Sequence, residues 1–326
     1  LDTSETEGYL RAAGSDGEPM DRLFATSDTI DEFAAAHGDA ANNQAVAAAI
    51  QAAIRDLAED GRFARWSLGV PRETPPGVAS VAFDVVSEDG ETPAHVYPLE
   101  LAAVMATALR SRGVPAMVAE IFRFPNDDSP PDPSGHFGYF GVAVYDDEAG
   151  EGDPDVYDPW GGHETPPEED DYRVLTDIQA IGAALSLRAI HLLVRESDAE
   201  RALAASTDAI RLCPRSPAVR SVRGAILLAS GNTNEALAEF ESAKALRADG
   251  PRHNLLAGVY LAQSELESAQ REVNAALEEF PDYAAAHATL AALHLSNAEP
   301  DEALEELETA ERLDPDLHIL PGLYAN

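Results

Sequence analysis

Asn234-Glu235-Ala236-Leu237-Ala238-Glu239-Phe240-Glu241-Ser242-Ala243 and Asp301-Glu302-Ala303-Leu304-Glu305-Glu306-Leu307-Glu308-Thr309-Ala310 are two copies of one pattern, and that pattern decides the fold of the second half of the chain. Ala202, Ala236, Ala269 and Ala303 are separated by 34, 33 and 34 residues, and Ala209, Ala243, Ala276 and Ala310 repeat with the same spacing. Pro214, Pro281 and Pro315 follow the second alanine at a constant interval, with Ala248 in the remaining unit. Gly224, Ala257 and Ala291 fill a matching small position ahead of the first alanine. Coincident series at such a period mark stacked helical hairpins, because each unit needs small residues where its two helices touch.

This combination resembles the tetratricopeptide repeat, in which small residues let helices A and B pack closely and the proline ends helix B. The resemblance covers roughly 183–315. It implies a right-handed stack with a concave face lined by helix A. In this register that face holds Leu187, His191, Ser221, Leu228, Asn254, Leu261 and Leu295, with Ala225, Gly258, Ala288 and Ala292 between them. The groove is mainly small and apolar. Relatives that grip a terminal carboxylate use lysines and asparagines there, whereas the only lysine, Lys244, falls on a helix B. Such a groove suits an amphipathic helix, either a partner's or the chain's own, and filling by the chain itself is the competing reading. His287 and His294 share a helical face, but two histidines without a third ligand are read as packing, so no metal is expected.

Upstream of the repeats the texture is different. Asn42 to Asp60 has the recurrence of an amphipathic helix, and 62–76, with Trp66 and three prolines, is expected to be irregular. Val78 to Val86 is ambiguous between strand and buried helix. A second helix is expected over Pro98 to Arg112, with Pro98 in its first turn, Glu100 complementing its N-terminus and Gly113 ending it. Strands follow at 114–124, 137–145 and 156–157. A helix before antiparallel strands gives an α+β domain.

Gly135-His136-Phe137 and Tyr157-Asp158-Pro159-Trp160-Gly161-Gly162 lie on or beside the second and third strands. A histidine and an aspartate on adjacent strands are how a hydrolase or transferase aligns a base and its orienter. Together with Leu109-Arg110-Ser111-Arg112-Gly113-Val114-Pro115-Ala116, these segments resemble the transglutaminase-like superfamily. With the trailing repeats they look like its Sir-B type branch. The resemblance implies a papain-type helix on an antiparallel sheet, followed by an all-α tetratricopeptide solenoid. It also implies a cysteine at the helix N-terminus, where the dipole stabilises a thiolate. Here that place reads Tyr97-Pro98-Leu99-Glu100, and the single cysteine, Cys213, lies in a repeat. His136 and Asp158 are therefore expected to be vestigial, tying strands together in a non-catalytic domain. The alternative is a hydrolase or transferase of amide or isopeptide bonds, using both residues with an unidentified nucleophile.

Composition bounds the partners. The net charge of -37, from 59 acidic and 22 basic residues, disfavours nucleic acid and anionic membranes. The lysine-poor, acidic, alanine-rich make-up resembles proteins of salty habitats, where the Debye length falls from about 8 Å to about 3 Å at 1 M salt and relieves self-repulsion. Between Asn126 and Asp171 there are fifteen acidic residues and no Lys or Arg; lacking calcium-loop spacing, these are read as solvated loops or a face for a basic protein. Apolar runs such as Ala45 to Ile50 are too short for a bilayer. No disulfide framework and no cofactor are expected. Beginning at Leu1 without a signal pattern, the chain is assigned to the cytoplasm, although its start is compatible with a removed presequence. The expected organisation is an acidic, mostly poorly ordered lead-in over 1–40 with room for a short helix around Thr29 to His37, the α+β domain over 41–180, four repeats over 181–316 and a tail over 317–326. A protein or peptide partner is expected in the groove, with Trp160 contributing from the aromatic turn.

Overall fold

The computed structural model describes residues 23–65, 94–132, 138–146, 152–160, 163, 165–315 and 317. The chain divides into two compact units, one of residues 1–125 and 139–188, the other of 126–138 and 189–326.

The first unit opens with helix α1 (Asp28–His37), which starts where the Ser27 hydroxyl accepts the Ile30 N–H at 3.3 Å. Ile30 and Ala34 are buried, so the short helix that the sequence allows within the lead-in is part of the core. Helix α2 (Asn43–Glu59) follows the Asn42 cap and buries Val46, Ala47, Ile50, Ala53 and Ile54 at the spacing its sequence implies. Strands β1 (Phe63–Arg65) and β2 (Ala94–Val96) pair in parallel, so the stretch expected to be irregular begins as a strand. The Val78 to Val86 segment lies outside the described residues.

Helix α3 (Pro98–Ser111) is buried from Pro98 to Leu109, as a helix apolar on all sides must be. It packs on β3 (Ala116–Ile121) and β4 (Tyr139–Val144), the centre of a four-stranded antiparallel sheet of order β5-β4-β3-β6. The edges are β5 (Asp155–Tyr157) and β6 (Tyr172–Val174). Strand β6 is an addition to the expected set, because three residues hold too little periodicity to announce it. Its Arg173 stands opposite Glu120 of β3 and donates to that buried carboxylate at 2.7 Å, which keeps the charge paired inside the sheet. Gly141 on β4 is dictated by packing, since a Cβ there would lie 2.5 Å from the Tyr157 carbonyl oxygen.

Helix α4 (Asp177–Arg195) runs across the limits of both units. At 19 residues it is long and apolar enough to cross a membrane, longer than the apolar runs considered above, but 72% of its apolar window is buried inside the protein. In the second unit α5 (Ala199–Leu212), α6 (Pro217–Ala229), α7 (Thr233–Leu246), α8 (Gly250–Ala262), α9 (Leu266–Glu279), α10 (Ala284–Ser296) and α11 (Pro300–Leu313) alternate as helices A and B. Contacts are concentrated between α6 and α7, α8 and α9, and α10 and α11. The periodic small residues sit where expected: a Cβ on Gly224 would meet the Phe240 ring at 2.6 Å. Each hairpin turn carries one left-handed residue, Ser197, Gly231, Ser264 or Ala298, and the N–H that follows it reaches back to the end of helix A. At Gly231, Ser264 and Ala298 this is the Schellman arrangement, repeated with the period of the array, while the Ser197 turn reaches one residue further back, to Leu192.

Candidate functional site

Asp158 follows β5 and is buried, with the pairing of Val142 and Tyr157 holding it beside β4. Its carboxylate is fully engaged. One oxygen accepts the Tyr139 hydroxyl at 2.7 Å and the Trp160 backbone N–H at 3.0 Å, while the other faces His163 Nδ1 at 2.8 Å. Gln51 of α2 donates to the Asp158 carbonyl at 2.6 Å and ties the turn to the helix layer. The His163 ring stacks on Phe124 with centroids 3.5 Å apart and planes at 7°, and Tyr139 meets both rings edge-on. Burial works to raise the Asp158 carboxyl, but hydrogen bonds from His163 and Tyr139, the imidazole charge and the Trp160 N–H outweigh it and hold the carboxyl below its usual range.

The histidine expected against Asp158 was His136, which lies outside the described residues. His163 and Tyr139 are partners that sequence reading missed. The available signal was proximity, because His163 follows directly on the Trp160-Gly161-Gly162 turn. A carboxylate on Nδ1 is the contact by which an acid orients an imidazole.

The place expected for a nucleophile is the start of α3. At the start of α3 the Glu100 side chain, 1% exposed, folds back to accept the Tyr97 N–H at 2.9 Å. A carboxylate thus occupies the helix terminus, where it is stabilised by the dipole. Cys213 is buried at the end of α5 in the other unit. Among the described residues no group of three His, Cys, Asp or Glu side chains is placed to hold a metal. His287 and His294 each face a carboxylate instead, Glu306 at 2.6 Å and Glu299 at 2.7 Å.

The residues assigned to the groove are mostly covered. Leu187, His191, Ser221, Leu228 and Asn254 are buried, Leu261 and Trp160 are half-buried, and Leu295 is 57% exposed. The Asn254 Oδ1 is buried without a hydrogen-bond partner among the described residues. Lys244 is committed elsewhere, bridging α7 to Glu272 of α9 at 2.8 Å, with His253 on the same carboxylate.

The family model for the tetratricopeptide repeat matches residues 260–320. A thermophilic tetratricopeptide protein of Thermus thermophilus is 23% identical over 41% of this chain and 75% of its own, with a TM-score of 0.38. YrrB, described as having an unusual peptide-binding site, is 20% identical over 43% of this chain and 72% of its own, with a TM-score of 0.34. MamA of Desulfovibrio magneticus RS-1 is 22% identical over 48% of this chain and 81% of its own, also at 0.34. None of the curated proteins matches the chain. The C-terminal part of the chain is thus built of tetratricopeptide repeats, and the N-terminal part carries a small antiparallel sheet.

Proposed function

We propose that the chain is a non-catalytic scaffold or regulatory protein: a degenerate transglutaminase-like domain over 41–180, preceded by the acidic 1–40 segment and followed by four repeats over 181–316 and the 317–326 tail. It binds a protein or peptide through the repeats and works in the cytoplasm. Amphipathic helices and basic proteins are the partner classes its groove and its acidic loops suit. The observation that carries the reading is the start of α3, where Glu100 caps the backbone at the place a thiolate would need. His136 and Asp158 then persist as structural relics, and Asp158 has the bonding of one: every described contact it makes ties the β4–β5 end of the sheet to its neighbours.

A second reading is favoured by one observation, the Asp158–His163 pair, which has the geometry of a base and its orienter. It makes the chain a hydrolase or transferase of amide or isopeptide bonds, with His136 and Asp158 acting on an unidentified nucleophile. Substituting His136→Ala and His163→Ala, each alone, separates the two. The scaffold is expected to retain the same partners in pull-down before and after each change, with no release of amine from a fluorogenic amide by any form. Release by the native chain that disappears in either variant would replace the scaffold with the enzyme.

A further inference from the structure

Resting on the scaffold reading, we propose that residues 126–132 are a built-in ligand of the repeat groove, and that the groove takes extended peptides with a Pro-Pro core. The segment Asn126-Asp127-Asp128-Ser129-Pro130-Pro131-Asp132 connects β3 to β4, yet its contacts group it with the repeats and not with the strands on either side. The Asp282 N–H, in the turn that enters α10, donates to the Asp128 carbonyl at 2.9 Å. Pro130, Pro131 and Asp132 are buried, although their composition is that of a solvated loop. The Asp132 carboxylate in turn accepts the Gly138 N–H at 2.8 Å, closing the excursion on itself.

The groove side shows the complementary change. Ser221, Asn254 and Ala288 occupy the same position in three successive helices A, facing the concave side, and none is exposed above 8%. A groove open to solvent would leave this row accessible; in the neighbouring row of Leu228, Leu261 and Leu295 exposure rises to 57% at Leu295. Small residues make room for a backbone to pass close to the helices. A Pro-Pro core enters such a slot with little ordering cost, because its polyproline conformation is set beforehand. A ligand tethered in cis acts at an effective concentration of about millimolar, so a free peptide of ~0.1 mM intrinsic affinity would lose about tenfold to it.

The test uses the full chain and a fluorescein-labelled peptide copying residues 124–132, followed by anisotropy. A variant in which 127–132 is replaced by a Gly/Ser run of equal length is expected to bind the peptide about tenfold more tightly than the native chain. The same peptide with both prolines changed to glycine should bind that variant at least about tenfold more weakly than the original peptide. Should the replaced loop unfold the protein, by circular dichroism, the double substitution Pro130→Gly, Pro131→Gly supplies the milder opening. Equal binding by native and opened chains, or indifference to the prolines, overturns the proposal. If native and opened chains capture the same partner protein equally, the scaffold stands and only the cis ligand falls; if neither binds peptide or protein, the scaffold reading falls with it.

Discussion

The repeats and the sheet unit hold themselves together by different logics. In the repeats one contact is made again and again: small residue against ring or branched side chain across a helix pair, as in Gly224 against Phe240, with a left-handed turn between the helices. In the sheet unit each close contact is made once, by residues far apart in the chain, such as Gln51 with Asp158 and Glu120 with Arg173. A change in a repeat therefore removes one of several similar interfaces, whereas a change in the sheet unit removes a contact that nothing duplicates.

That contrast can be broken or sharpened by substitution. The largest effect is expected for Phe240→Ala, about 3–5 kcal/mol from the vacated ring position under Gly224. Denaturant unfolding should show the loss in the helical signal, while hydrogen exchange of β3 and β4 stays unchanged; a loss shared equally by the sheet would mean the two units unfold as one. Next comes Asp158→Asn, expected to cost about 1.5–3 kcal/mol as charge-assisted bonds are weakened. Because the folded Asp158 titrates below its unfolded value of about 3.9, its contribution is present above about pH 4 and drains as pH falls through the lower folded value. Acid unfolding curves of native and variant chains should accordingly converge at low pH; parallel curves would show that the carboxylate charge is not what Tyr139 and His163 hold. The smallest effect has the opposite sign. Ala298→Gly relieves a left-handed residue at φ 62 and is expected to stabilise by a few tenths to about 1 kcal/mol, read as a higher thermal midpoint.

The same contrast explains what was legible beforehand. Ala202, Ala236, Ala269 and Ala303 announced their helix pairs because a geometry used repeatedly leaves a period in the sequence. The turns at Ser197, Ser264 and Ala298 share that period but not its residue type, since only Gly231 is the glycine a left-handed position usually selects. Helices α2 and α3 were readable from their apolar faces and caps. Strand β6 and the pairing of β1 with β2 were not, because three-residue strands are fixed by partners far away in the chain. At the site, the importance of Asp158 could be read, but His163 could not: stacking on Phe124 is a tertiary fact with no spacing to betray it. The burial of Ser221 and Asn254 could not be read from the register alone, because covering is a tertiary fact.

The carboxylate of Glu100 has a consequence for anyone who would build a nucleophile into this fold. A thiol installed at the first turn of α3 would sit beside a buried carboxylate already bonded to the Tyr97 N–H, so its ionisation would be opposed at a helix terminus that otherwise favours it. Installing a thiolate here is thus a two-site problem: the acid must be neutralised, for instance as glutamine, before a cysteine is introduced. A glutamine would keep the cap while vacating the charge, which makes the order of the two steps, and not the choice of nucleophile, the first decision in such a redesign.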